Sequence, residues 1–241
     1  MTVFSAAARS GARELMDEDS TDFETFHGCL ADLARVNRLS LGYRPTIAFL
    51  DRLRRERRLP QGRPLRILDV GCGYGDTLRA IDAWAKRVGA PVALLGIDRN
   101  PWAERAARAA TDTTAPIAFR TVDLFDFRPD GPIDVVLSAL FAHHLNDLEL
   151  TRFLRRQEEI AGVGWYVNDL RRSRLAFHGF RAASAALRMH RFVRHDGPVS
   201  FARAFVEDDW RRALAAAGVP EAAAEIARRA LFRLCVSRIK P

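Results

Sequence analysis

A chain of 241 residues, 48% hydrophobic, is long enough for one or two folded domains and too apolar to be a disordered one. Its three cysteines, Cys29, Cys72 and Cys235, lie far apart and show neither a disulfide framework nor metal-ligand spacing, so a reducing, cytoplasmic setting is expected. No apolar run reaches the roughly 18 residues of a spanning helix, no signal-peptide core is present, and the net charge of +8 comes from arginines scattered throughout the chain. Such scatter reads as solvated helix faces. The denser clusters at 52–58 and 171–174 carry an alternative, contact with phosphate or an anionic surface.

Residues 1–20 read as loosely ordered or loosely helical. From Asp22 to Leu59 the apolar residues Phe23, Phe26, Leu30, Leu33, Val36 and Leu39 recur at spacings of three and four, and predict a helix. Gly42 interrupts it, and a second helix is expected over 45–59. The proline-rich stretch 60–64 is a loop. The pattern then changes to short apolar runs alternating with helical segments. Strands are expected over Leu65–Val70, 92–97, 117–122, 133–138 and 163–167. Helices are expected over Asp76–Val88, 101–110 and 147–161, with Pro101 at a first-turn position. This alternation predicts an open α/β sheet, mostly parallel and doubly wound, with helices on both faces.

Residues 170–192 read as a long arginine- and alanine-rich helix, 197–200 as a turn, and Glu207–Ala217 as a helix stopped by Gly218. Segment 221–229 is ambiguous between helix and strand, whereas 231–239 reads as a strand. The expected layout is an N-terminal helical cap over 1–64 and a main domain over 65–241, with a helical lid near 170–205.

The sequence RILDVGCGYGDTL places Asp69, Gly71, Cys72, Gly73 and Gly75 between the first strand and its helix. A glycine-rich turn there lets a ligand approach the backbone. The spacing is G-x-G-x-G, not the G-x-G-x-x-G of dinucleotide enzymes, and an acid precedes it. A carboxylate at Asp69 would repel a pyrophosphate but suits an ammonium or sulfonium. The segment resembles motif I of class I S-adenosylmethionine-dependent methyltransferases, and later landmarks fall in that family's order. The resemblance implies a seven-stranded sheet ending in an antiparallel hairpin, with S-adenosylmethionine as cofactor. It also implies that Asp98, with Arg99 beside it, holds the ribose hydroxyls. Asp123 would accept from the adenine amino group and Leu124 would flank the ring. Ser138 and Ala139, leading to Phe141, would line the methionine side. Tyr43 and Arg44 are candidates to reach the cofactor from the cap, the arginine through paired donors to its carboxylate.

For the acceptor, DVVLSALFAHHLNDLEL puts His143 and His144 just past the fourth strand. An imidazole there can take a proton near neutral pH, and His144 is the first choice of base, with His143 second. His178, His190 and His195 are weaker candidates. Three segments, NRLSLGYRPT, VNDLRRSRLAF and RFVRHDGPVSFARAF, resemble a bacterial subgroup of methyltransferases found beside type III polyketide synthases. In the first, the glycine that follows Asn37 and Arg38 comes late, at Gly42. That resemblance implies secondary metabolism and an aromatic, phenolic or quinone-like acceptor, with lipid tails such as those of alkylresorcinols. A helix over 176–192 bearing Phe177, Phe180, Ala183, Leu187 and Met189, with Leu175 just before it, would form an apolar lid over such a tail. O-methylation is expected, with C-methylation of a similar ring as the alternative. Nucleic-acid modification is not expected, because SALF replaces the N-P-P-[YF] signature or the cysteine with adjacent proline of base modifiers. No metal site is expected, and a homodimer is compatible with the sequence.

Overall fold

Alternation of apolar runs with amphipathic segments produces the expected doubly wound sheet in the computed structural model, which describes residues 4–17 and 22–241. The expectation for 1–20 falls partly outside the described residues; within them, 4–17 is irregular but for a 3₁₀ turn at Leu15–Asp17. Strands β1 (Leu65–Val70), β2 (Val92–Asp98), β3 (Ile117–Thr121), β4 (Ile133–Ala139) and β5 (Ala161–Leu170) pair in parallel. Strands β6 (Ala224–Arg229) and β7 (Arg233–Ile239) close the sheet as an antiparallel hairpin, giving the order β3-β2-β1-β4-β5-β7-β6. The order reverses between β1 and β4, and ligands bind at the carboxyl ends of strands flanking such a switch point.

Two helical layers cover the sheet. Helices α2 (Arg44–Arg55), α3 (Asp76–Val88) and α4 (Pro101–Ala109) lie on one face, where Phe49, Leu50, Leu53, Leu78, Ile81 and Trp84 pack on β1, β2 and β4. Helices α5 (Asp147–Ile160) and α8 (Glu207–Ala217) cover the other with Phe153, Leu154, Trp210 and Leu214. Each such side chain contributes about 1.5–3 kcal/mol on burial. Helix α1 (Phe23–Leu39) is capped by the Asp22 carboxylate accepting from the Thr25 N–H. It leans on α4 through Phe26 and Leu30, and meets α7 (Arg191–Arg203) through Cys29, against Phe192 and Val193. Residues 4–17 and 22–55 therefore serve three places: a strap, a roof helix and a member of the sheet layer.

Three local expectations are corrected. Helix α2 stops at Arg55, because Arg57 turns into the left-handed region at φ 55°. The long helix over 170–192 is instead a strand end, α6 (Arg174–Ala186) and a break: Arg188 sits at φ 49°, and His190 caps α7 by accepting from the Phe192 N–H. Most telling, 197–200 is no turn but the middle of α7, with Pro198 inside the helix. A Cβ on Gly197 would lie 2.0 Å from the Phe180 ring, so this glycine serves close packing of α6 on α7. Burial of Val193, Val199, Phe201 and Ala202 outweighs the proline's lost hydrogen bond. Strand β5 is longer than expected at both ends, which brings Asn168 and Asp169 into the sheet.

Candidate active site

The carboxyl ends of β1, β2 and β4 open into a cavity of 960 Å³ bounded by α1, α6, α7 and the N-terminal strap. This is the upper part of the usual size range of small-molecule sites. One end holds most of the expected cofactor positions: Asp69, Gly71, Cys72, Gly73, Asp98, Arg99, Asp123, Leu124 and Ala139 all line it. Gly75 and Ser138 sit immediately behind this wall, Gly75 closing the turn by donating its N–H to the Cys72 carbonyl.

Asp69 is fully buried, and its Oδ1 has no hydrogen-bond partner. Burial pushes its carboxyl well above the ordinary range, and the carboxylates of Asp76 and Asp98 push it further. A ligand cation would relieve both the orphaned oxygen and the crowding of acids, which fits a methionine ammonium or sulfonium. Asp98 accepts the N–H groups of Gly73 (3.1 Å) and Asn100 (2.9 Å), which fixes its carboxylate and leaves lone pairs for hydroxyls. Burial raises its pKa, and those two N–H donors oppose the rise. Asp123 is held by the Phe125 N–H at 2.8 Å.

The two cap candidates are placed differently. Arg44 is exposed at the start of α2 and does not line the cavity. Tyr43 does not line it either; its hydroxyl donates to Asp76 Oδ2 at 2.7 Å. Besides Arg99, the arginine that lines the cavity is Arg233, at the start of β7. It is buried, and its Nη2 donates to Asn37 Oδ1 at 2.9 Å. Burial lowers its pKa, against the pull of Asp169 and Asp76.

At the other end, a 3₁₀ turn over Ala142–His144 presents both histidines to the cavity. His143 is buried. Its Nδ1 lies 2.7 Å from Asp169 Oδ1, and its backbone N–H donates to Asp169 Oδ2 at 3.0 Å. Its Nε2 faces Glu14 Oε1 at 3.5 Å, while His144 Nε2 lies 3.8 Å from Glu14 Oε2. Burial disfavours a charged His143, but Asp169 and Glu14 outweigh it and raise its pKa to about 9. Burial pushes the Glu14 and Asp169 carboxyls up, and the histidines more than reverse this, holding both below the ordinary range. Apolar walls from Leu140, Leu170, Ala176, Phe180, Phe201 and Phe232 complete this end. Of the weaker histidines, His178 is exposed, His190 is the α7 cap, and His195 pairs with Asp196 at 2.8 Å outside the cavity.

Glu14, Asp169 and Arg233 are the residues that sequence reading missed. Glu14 arrives on the strap, which is pinned by Asp196 accepting the Leu15 and Met16 N–H groups and by Arg9 donating to the carbonyls of His143 and Leu145. The one signal for Asp169 is the pair Asn168–Asp169 directly after an apolar strand run.

Residues 67–164 match the family model of a methyltransferase domain. The ajmaline N-methyltransferase of Rauvolfia serpentina is 33% identical over 109 residues, 44% of this chain but only 35% of that relative's length. The solved plantazolicin methyltransferase BpumL, in complex with a monoazolic analogue and SAH, superposes with a TM-score of 0.61 at 15% identity, over 90% of this chain and 96% of that one. The magnesium protoporphyrin IX methyltransferase ChlM from Synechocystis PCC 6803, with bound SAH, gives 0.54 at 16% identity, covering 83% and 84%. In its domain match over 67–164 and in its fold, the chain is similar to class I S-adenosylmethionine-dependent methyltransferases.

Proposed function

We propose that the chain methylates the hydroxyl oxygen of a small phenolic or quinone-like acceptor, lipid-tailed acceptors included, with His144 as general base. When bound, S-adenosylmethionine supplies an electrophilic methyl group, so the protein need only hold the acceptor and take its proton. The observation that carries this reading is the meeting, in one cavity, of the histidine pair with a wall of phenylalanines and leucines. His143 is locked between Asp169 and Glu14 and holds its own proton to about pH 9, so it positions and polarises. His144, less buried and facing the same cavity, receives the acceptor's proton. Arg233 offers its remaining N–H groups to the carboxylate of the cofactor's methionine.

A panel of phenols assayed for methylated product tests the acceptor class, and the site of the methyl separates O- from C-transfer. His144→Ala should lower kcat about a hundredfold or more with SAH affinity within roughly threefold. Near wild-type turnover in both His144→Ala and His143→Ala would sink the base assignment. The ligand atoms of Glu14, His143 and His144 lie within 4.8 Å of one another, a donor set that could also take a divalent ion. Full activity after dialysis against a chelator favours the base; loss restored by zinc would transfer the acceptor's activation to a metal.

Arg233→Met should weaken SAH binding about tenfold or more. Its affinity for 5′-methylthioadenosine, which lacks the amino-acid carboxylate, should barely change. Equal losses for both ligands would reduce Arg233 to a structural role.

A further inference from the structure

The rim of the cavity carries an unusual combination of side chains. Among the described residues seven large apolar side chains are exposed, and four of them are leucines on three segments that meet at the mouth: Leu39 (70% exposed), Leu41 (46%), Leu175 (71%) and Leu231 (53%). Hydrogen bonds fix the convergence. The Arg233 guanidinium ties the 229–233 hairpin to Asn37 at the end of α1, and the Arg171 N–H donates to the Phe232 carbonyl at 2.7 Å. Leu175 and Leu231 reach the cavity itself, as do Asn37 and Ser40 beside the other two leucines.

Leu41 and Leu231 have a second peculiarity. Their φ angles are 54° and 55°, in the left-handed region where glycine or asparagine is the inexpensive choice. Each position thus carries both a strained backbone and a wet leucine, and folding alone rewards neither. Charge completes the pattern. Arg38, Arg44 and Arg174 are exposed and Arg171 half-buried on the same segments. None of the four has a carboxylate within ion-pair distance among the described residues, whereas Arg229, beside them, is paired with Glu225.

We propose that this rim docks on a bilayer surface bearing anionic headgroups. The leucines enter the interface and the unpaired arginines meet the headgroups, with their stems along the apolar side. The occupant follows from the charge: leucines alone would serve any apolar partner, but the exposed, unpaired Arg38, Arg44 and Arg174 around them select an anionic surface. Docking would place the cavity mouth against the membrane, so that a lipid-tailed acceptor enters without crossing water. This goes beyond the acceptor reading and is measured without any acceptor, so either can fail while the other stands.

The test is co-sedimentation of the full chain with phosphatidylcholine vesicles, with and without about 30% phosphatidylglycerol, at about 0.1 M salt. The anionic vesicles should bind the chain tenfold or more tightly, with the advantage shrinking as salt rises. Arg38→Gln combined with Arg174→Gln should lose roughly fivefold per arginine. Leu39→Glu combined with Leu41→Glu should lose about tenfold or more, with SAH affinity and melting temperature unchanged. Leu41→Gly separates docking from folding: binding should fall while the melting temperature holds or rises, because glycine relieves the left-handed backbone. Binding no stronger to anionic than to neutral vesicles, or undiminished in the leucine variants, overturns the proposal. So does a dimer in sedimentation equilibrium that the leucine variants dissociate, since the face would then belong to a second copy.

Discussion

Asp169→Asn is expected to lower the melting temperature by about 10 °C and methyl transfer about a hundredfold, although the substitution changes almost no volume. Both carboxylate oxygens of Asp169 accept from N–H groups: Oδ1 from Leu170 and the His143 ring, Oδ2 from the His143 backbone. An amide nitrogen in either place would point a donor at a donor, and removing one partner of a buried charged pair costs about 3–5 kcal/mol. In a chain of this length that is roughly 2–4 °C per kcal/mol. The pH profile checks the cause. His143 has a folded pKa of about 9 against an ordinary 6.5, so its contribution is complete below pH 6.5 and is lost as pH rises through 9. Glu14 and Asp169 are held below their ordinary values, so their contribution is present above the ordinary carboxylate range and lost as pH falls through the folded values. Wild-type protein should therefore be most stable near pH 5–6.5 and weaken toward pH 9, by about 3 kcal/mol at most from His143. Asp169→Asn should flatten that alkaline decline. An unchanged alkaline slope would show that the His143 charge is not what Asp169 supports.

The parallel core was legible because strands buried on both faces read as unbroken apolar runs. Leu65–Val70 is bounded as expected, and the aspartates that end β2 and follow β3 line the cavity. Order along the chain was enough, since each acid sits at the carboxyl end of its own strand. What was hidden depends on neighbours distant in sequence. Gly197 and Pro198 have the composition of a turn, and only the ring of Phe180 lying against Gly197 reveals a helix crossing. Glu14 sits in a segment without periodicity and gains a role only when Ser200 and both histidines surround it. Arg233 resembles every other arginine until the hairpin turns it inward; Arg44, nearer the expected motif, is left in solvent. The histidine end of the cavity therefore rests on tertiary contacts, while the end lined by Asp69, Gly71, Asp98 and Asp123 is spelled out in chain order along the sequence.

Gly71→Ala is expected to lower SAH affinity about a hundredfold and the melting temperature by about 9 °C, whereas Gly73→Ala, two residues on in the same motif, should cost about 3 °C. Both glycines have positive φ, 66° and 49°, so both alanines bear the left-handed penalty of about 1–2 kcal/mol. The difference is space. A Cβ on Gly73 meets nothing nearer than Leu30 Cδ2 at 3.6 Å, an ordinary contact. A Cβ on Gly71 falls 2.3 Å from Phe141 Cδ2 and 2.8 Å from its Cγ. The Phe141 ring has little room to retreat, because it packs on Phe153, fully buried in the core. Overpacking of this kind adds about 1–3 kcal/mol. Phe141 also opens the turn that carries both histidines, its carbonyl accepting the His144 N–H at 3.0 Å. Pushing it aside moves the acceptor end as well as the cofactor end. Gly71→Ala should therefore lower kcat in addition to cofactor affinity, and Gly73→Ala should leave kcat at saturating cofactor nearly unchanged. Thermal melts, SAH titration and saturating kinetics on the two variants decide it: equal effects at both positions would mean that the glycines serve backbone conformation alone, with no link through Phe141 to the histidines.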